Sequence, residues 1–337
     1  MDMRLLSQQL EAFVAARYPD GSRVLKLVEA DGHAGLTFNF RISDPKTGGV
    51  AEDLFLKVPP KGVKRKQNTD VYRQAPLLKA LNTSGIPVPD VRWAGDDEDW
   101  FDVPYIITSK MPGRTLLVWE PHASYDRTPE VMEPLWRLTT EALVQIHKVD
   151  WRKQLAGWEE PRPLEVEVNR WDRIYGQAPY PEWVTAAEEV HNQLLDTMRD
   201  GQPVGLIHGD YQPGNVLFKD GELVAVLDWE LSGIGAHLLD IGWLMMCADP
   251  LGWVESWGPK CPLAIGEIQD IYEAGMGQKF PDIAWYQALA GFRLASIGCL
   301  NVKLHQTGKR RDPLWENFID AIPVMFARAR QLLQDYR

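Results

Sequence analysis

The spacing of apolar residues changes character along the chain. Leu6, Leu10, Phe13 and Val14 recur at helical intervals within Leu5–Tyr18, and this predicts an amphipathic helix. The period then shortens. Arg23–Glu29, Leu36–Ile42 and Asp53–Val58 read as strands, separated by the glycine-bearing turns Asp31–Gly35 and Pro45–Gly49. A helix is expected over Thr69–Leu81, with Pro76 interrupting its interior. Gly85-Ile86-Pro87-Val88-Pro89 is a stiff extended entry to a strand ending at Trp93. An acidic loop, Gly95–Asp102, leads to a further strand, Val103–Lys110. Beyond Pro112 the helical period dominates. Pro129–Val149 carries Met132, Leu135, Leu138, Leu143 and Ile146 on one face. Glu182–Asp200, Leu238–Ala248 and residues 263–276, 282–305 and 312–336 read as further helices, while Arg162–Pro181 is irregular and aromatic. The pattern gives an α+β chain in two lobes, a small β-rich one over residues 1–111 and a larger, mainly helical one over 112–337. A chain of 337 residues is long for one core, which agrees.

The chemistry concentrates between Leu206 and Leu244. Gly205–Ile207 is a short apolar run ending in His208-Gly209-Asp210. Val216–Phe218 and Leu223–Leu227 are two more, joined by Asp220-Gly221, a strong two-residue hairpin signal; an exposed segment and a helix follow. That topology holds Asn215 and Asp228 at the open end of the hairpin, facing Asp210 in the preceding loop. An aspartate beside an acceptor hydroxyl can orient it and take its proton. An asparagine carbonyl and an aspartate carboxylate are hard oxygen ligands that suit Mg2+. Protein kinases use the same Asp-to-Asn spacing in H-R-D-x-x-x-x-N, with a second Asp on the next hairpin.

The string H-G-D-x4-N-x12-D, continued by VLDWELSGIGAHLLDIGWL, resembles the aminoglycoside phosphotransferase and choline kinase-like family, in particular the branch similar to the kinase-like domain fused to some acyl-CoA dehydrogenases. The resemblance implies a bilobal protein-kinase-like fold and a small-molecule kinase that uses ATP or GTP with Mg2+. It makes Asp210 the catalytic base and Asn215 and Asp228 the metal ligands, with His208 and Asp240 bracing the loop. It makes Lys57, on the third strand, the lysine that contacts the phosphates, and it places Gly32 in the turn over them and Ser109 to Met111 at the adenine. IHKVDW around His147 is similar to the family's L-H-x-V-D-W, and His147 reads as structural. The sequence departs from the pattern twice. Ala34-Gly35 stands where relatives often have Ser-Asn. Gln74 falls where a glutamate would pair with Lys57, leaving Asp70, one turn earlier, as a substitute.

Composition narrows the partners. The formal net charge of −11 argues against a nucleic-acid surface. Cys247, Cys261 and Cys299 show no C-x-x-C spacing and read as buried free thiols in a reducing compartment. No apolar run is long enough to span a membrane, and Met1–Leu10 mixes charge with apolar residues, so a cytoplasmic protein without a signal peptide is expected. Glu230 is the candidate carboxylate for a cationic acceptor; Asp249, Glu267 and Asp270 read as solvated helix faces. Trp229, Trp243, Trp253, Trp257 and Trp285 suggest an aromatic-walled cleft, which suits a partly apolar hydroxylated metabolite better than a polycationic sugar. A nucleotide-binding pseudokinase, a non-enzymatic interaction module and a protein kinase remain as alternatives. The eleven residues between Asp228 and Asp240 leave little room for a peptide-binding activation loop.

Overall fold

The computed structural model describes residues 2–30, 36–117, 125–255 and 261–336. The chain divides into two compact units. Unit 1 comprises Met1–Gly113, Arg152–Trp158 and Val224–Leu231; unit 2 comprises Arg114–Trp151, Glu159–Leu223 and Ser232–Arg337.

Unit 1 opens with helix α1 (Met3–Arg17), capped by Asp2, whose carboxylate accepts the amides of Arg4 and Leu5. Strands β1 (Val24–Ala30), β2 (Leu36–Ser43), β3 (Val50–Val58), β4 (Val91–Gly95) and β5 (Tyr105–Ser109) form one antiparallel sheet in the order β1-β2-β3-β5-β4. Leu54, Leu56 and Val58 alternate into a core closed by Leu6, Leu10, Phe13 and Val14 of α1. The same alternation turns Lys57 to the other face. Helix α2 (Gln74–Thr83) starts five residues later than the sequence suggests. Pro76 therefore lies in its first turn, where amides have no intrahelical acceptor, and does not interrupt the helix. Two later segments join this unit. Trp158 Nε1 donates to the Arg73 carbonyl at 2.9 Å, and the Val226 amide donates to the Pro87 carbonyl at 2.8 Å.

Unit 2 begins at strand β6 (Arg114–Thr115) and is mainly helical: α3 (Pro129–His147), α4 (Trp151–Gln154, which passes into unit 1), α5 (Leu164–Asn169), α6 (Asp172–Tyr175) and α7 (Pro181–Thr197). The stretch expected to be irregular thus holds two short helices. Strand β7 (Val204–Ile207) leads to the loop carrying Asp210, then to β8 (Val216–Lys219) and β9 (Glu222–Val226). Asp220 and Gly221 between them have φ of 54° and 84°, the two positive values a type I′ turn requires. Strand β10 (Gly233–Ala236) pairs antiparallel with β7 and is wholly buried, so the segment expected to be exposed is a core strand. Its glycines explain the difference: a Cβ at Gly233 would overlap the Arg162 guanidinium.

Helices α8 (Leu238–Ala248), α9 (Ile265–Met276), α10 (Ile283–Gln306), α11 (Leu314–Phe318) and α12 (Ala321–Asp335) complete the unit. The run expected as one helix over 312–336 is two, because Pro323 cannot supply an amide except in a first turn. α8 crosses α10 closely at Gly242, where a Cβ would sit 2.5 Å from the Tyr286 main chain. Cys247 and Cys299 are buried free thiols, but Cys261 is only half-buried. No helix among the described residues is long and apolar enough to cross a membrane.

Candidate active site

The loop after β7 is held by one buried carboxylate. Asp240 is 1% exposed and accepts the amides of His208 at 2.6 Å and Gly209 at 2.8 Å, and Nε2 of His147 at 3.3 Å. A carboxylate cannot donate, so His147 Nε2 carries the proton, and Nδ1 meets the Tyr272 hydroxyl at 2.7 Å. Burial works against the charged form of Asp240. The hydrogen bond and charge of His147, with help from His208, still hold its pKa below the usual carboxylate value. His208 is fully buried and accepts the Asp210 amide on Nδ1 at 3.2 Å. Gly209 takes φ 90°, which lets the chain reverse there and aim the next side chain outward.

That side chain is Asp210, half-buried. Its Oδ2 accepts Asn215 Nδ2 at 2.9 Å, and its Oδ1 accepts Gln212 Nε2 at 3.3 Å. Asn215 Nδ2 also donates to the Asp210 carbonyl at 2.8 Å. With its amide nitrogen committed twice, Asn215 has a side-chain carbonyl oxygen that takes no donor among the described residues.

Within unit 1, Lys57 Nζ lies 3.4 Å from Asp228 Oδ1 and 3.6 Å from Glu230 Oε2. Glu230, expected at a cationic acceptor, is thus placed against the lysine, with its side chain only 14% exposed. Asp70 instead pairs with Arg65 at 2.9 Å, and Gln74 is buried with no acceptor for Nε2 among the described residues. Asp228 adopts φ 60°, a costly left-handed conformation for a residue with a side chain and one that clusters at functional sites. On β5, the Ser109 amide is taken by the Asp90 carbonyl and that of Lys110 by the Asp53 carbonyl, both at 2.9 Å, whereas the Met111 amide has no partner among the described residues. Gly32 and Trp257 lie outside the described residues.

No group of three or more His, Cys, Asp or Glu side chains among the described residues could hold a metal ion. The Asn215 side-chain carbonyl and the Asp228 carboxylate are each oxygens of the kind Mg2+ takes.

Several candidates serve packing. Asp249 is buried and accepts Arg328 Nε at 2.7 Å and Gln287 Nε2 at 2.8 Å, so it is not a solvated face. Glu267, which accepts the Ala264 amide at 2.8 Å, and Asp270, 3.3 Å from Lys279, are exposed on α9, the solvated helix positions expected. Trp229, Trp253 and Trp285 are core residues whose indoles donate to the carbonyls of Val226, Met246 and Leu194, and they form no open aromatic wall.

His237 escaped the sequence reading. Its ring lies 4.6 Å from that of His147, and neither nitrogen has a partner among the described residues. Burial, then the charge of His147, push its pKa down to about 3, with Asp240 opposing. Below pH 6.5 the unfolded chain therefore binds a proton that the native chain refuses. Stability falls as pH drops through 6.5 and levels off near 3. We expect His237 to cost about 2 kcal/mol between pH 6.5 and 5. Urea unfolding at both values, with His237→Asn as control, checks this; an equal pH slope in the variant would contradict it.

Comparison with known proteins places these features. The chain is 25% identical to acyl-CoA dehydrogenase family member 10 of Mus musculus over 224 residues, covering 65% of this chain and 20% of that protein. It is 27% identical to acyl-CoA dehydrogenase family member 11 of Gallus gallus over 266 residues, covering 74% of this chain and 33% of that protein. It thus spans a fifth to a third of these relatives. Among solved structures, a Ralstonia eutropha protein assigned to the aminoglycoside phosphotransferases by likeness matches with TM-score 0.77 at 18% identity, over 96% of this chain and 98% of its own. A thermostable variant of aminoglycoside phosphotransferase APH(4)-Ia, in complex with AMP-PNP and hygromycin B, matches with TM-score 0.63 at 15% identity, over 97% and 98%. A choline/ethanolamine kinase family protein of Mesorhizobium loti matches with TM-score 0.57 at 17% identity, over 98% and 99%. These likenesses show the kinase-like fold, with a β-rich N-terminal region and a helical C-terminal one. A model of the phosphotransferase enzyme family matches residues 32–276, most of the chain, and the protein belongs to that family.

Proposed function

We propose that the protein transfers the γ-phosphoryl group of ATP or GTP to a hydroxyl of a small molecule. The observation that carries this reading is the Asp210 carboxylate, presented by a loop tied down through buried Asp240 and oriented by Asn215 and Gln212. Asp210 receives the acceptor hydroxyl, aligns it and takes its proton as the phosphorus–oxygen bond forms. Lys57, kept in place by Asp228 and Glu230, sets a positive charge toward the phosphates. We assign Glu230 the role that a helix glutamate has in protein kinases, since Gln74 cannot form the pair. The free Met111 amide, beside Ser109, would hydrogen-bond the purine edge, and Gly32 would lie in the turn over the phosphates. Mg2+ held by Asn215 and Asp228 would neutralise charge on the phosphate oxygens. The direct test is a panel of hydroxyl compounds with Mg-ATP or Mg-GTP, read by nucleoside diphosphate release. Nucleotide-independent behaviour across a broad panel would overturn the reading.

The two metal ligands should differ in weight. A carboxylate brings a full charge to a hard cation and an amide oxygen only a dipole. Asp228→Ala is expected to abolish Mg-dependent nucleotide binding more completely than Asn215→Ala. Calorimetric titration of both variants with Mg-ATP decides it, and equal losses would contradict the ranking.

A further inference from the structure

Arg73, the residue before α2, is gripped at its main chain and at its side chain by one tryptophan. Trp158 Nε1 donates to the Arg73 carbonyl at 2.9 Å, and the Arg73 guanidinium carbon lies 4.7 Å from the ring centre of the same indole. A guanidinium stacked on an aromatic face is attracted to it and still directs its N–H groups outward in its own plane. One of them, on Nη1, donates to the Glu230 carbonyl at 3.2 Å. Arg73, Trp158 and Glu230 all belong to unit 1, although Glu230 lies 157 residues beyond Arg73 in the chain.

Glu230 sits in a single helical turn, Trp229–Leu231, and its carboxylate stands 3.6 Å from Lys57 Nζ. A turn this short has no ladder of hydrogen bonds to fix it, and its carbonyls carry the negative end of its dipole. A guanidinium on one of those carbonyls holds the turn by a charge-assisted bond, and the Glu230 side chain with it. Gln74, which falls where a kinase has its glutamate, does not take this part: it is buried, and its Nε2 has no acceptor among the described residues. Beside the stack opens a cavity of about 480 Å3, walled by Arg65, Tyr72, Arg73, Leu155 and Trp158 and reaching solvent at the exposed Pro76. Arg65, the other guanidinium of this wall, is taken up by Asp70 at 2.9 Å and Asp96 at 2.5 Å and cannot stand in for Arg73.

We propose that Arg73, clamped by Trp158, is a positioning residue for phosphoryl transfer: it holds the turn that carries Glu230, and through Glu230 it sets Lys57 for the nucleotide phosphates. The proposal rests on the phosphotransferase reading above. It places the link between α2 and the lysine on the main chain of that turn, in place of an ion pair made by a helix glutamate.

With Mg-ATP and the best acceptor of the panel, Arg73→Ala is expected to lower kcat/KM for the nucleotide by about tenfold or more, the worth of a hydrogen bond from a charged donor, while KM for the acceptor stays native. Arg73→Lys keeps the charge but not the plane and should recover part of the loss. Trp158→Phe keeps a ring face, loses the indole N–H and should cost less than Arg73→Ala. Guanidinium chloride, well below the concentrations that unfold the protein, should restore part of the activity of Arg73→Ala through the open cavity, and sodium chloride at equal ionic strength should not. In a Glu230→Gln background Arg73→Ala should add little, because the carboxylate it positions is gone. An unchanged kcat/KM in Arg73→Ala, losses that multiply in the double variant, or recovery no greater with guanidinium than with sodium chloride would overturn the proposal. Should Arg73→Ala fail to fold, Arg73→Lys and Trp158→Phe carry the same measurements, and native kinetics in both would overturn it. Should nothing be turned over, the phosphotransferase reading fails separately, and acylation of Lys57, whose side chain is 23% exposed, decides whether Arg73 holds the lysine. Peptide mass spectrometry should then show faster labelling of Lys57 in Arg73→Ala and in Glu230→Gln, and no further rise in the double variant; native labelling in Arg73→Ala removes the role.

Discussion

Asp210→Asn is expected to leave the fold intact and to lower phosphoryl transfer by about 100- to 10,000-fold, the range for a positioned acid–base group. The substitution changes charge and proton affinity with almost no change in volume. Its structural cost should be small, because Asp210 is only half-buried and the loop's main fixings do not run through its carboxylate. Those fixings are the His208 and Gly209 amides on Asp240 and the Asp210 amide on His208. What is lost is an oxygen able to take a proton, and one of the two amide groups now facing it, from Asn215 or Gln212, meets a donor instead of an acceptor. Steady-state turnover on the best acceptor of the panel, beside thermal unfolding of the same preparation, separates the two effects. Near-native turnover would remove Asp210 from the role of base. A collapse in stability would mean that the carboxylate also holds the loop.

What the sequence revealed and what it hid divide along a physical line. Local geometry was legible. Asp220-Gly221 called for two positive φ values and has them, and the five-residue step from Asp210 to Asn215 brought the two side chains to 2.9 Å. The strands of the N-terminal sheet were legible as short apolar runs between turns, but not the inversion of its last two strands, β5 before β4. Long-range pairings were not legible. Lys57 finds Glu230, a partner 173 residues away, through no spacing rule, and a lone arginine on a long buried helix announces nothing about the two tryptophans that flank Arg293. The glycines of Ser232-Gly233-Ile234-Gly235 suggested an exposed connection. They mark instead the close approach of Arg162 to a buried strand, which only the fold could show. Trp229, Trp243, Trp253 and Trp285, read as a pocket wall, proved to be core, because burial and hydrogen bonding of an indole depend on which helices meet, not on composition.

The bracing residue should matter more to stability than the base it supports. Asp240→Asn is expected to destabilise the protein by about 3–5 kcal/mol, the usual cost of breaking a buried charged interaction on one side. Three donors converge on this carboxylate: the His208 and Gly209 amides and His147 Nε2. An asparagine has one oxygen for them, and its NH2 group must face at least one donor at 1% exposure, where no water can relieve the clash. His147 would then lose its anionic partner while still tied to Tyr272. Activity should fall as well, because the two amides released belong to the residues immediately before Asp210, and their freedom displaces the base. His147→Gln serves as the comparison. It removes one of the three donors and leaves the amides bound, so its cost should be nearer 1 kcal/mol. Urea unfolding of both variants at pH 7, followed by turnover under conditions where each remains folded, makes the measurement. If Asp240→Asn unfolded within about 1 kcal/mol of the native protein, the loop would owe its shape to something other than this carboxylate.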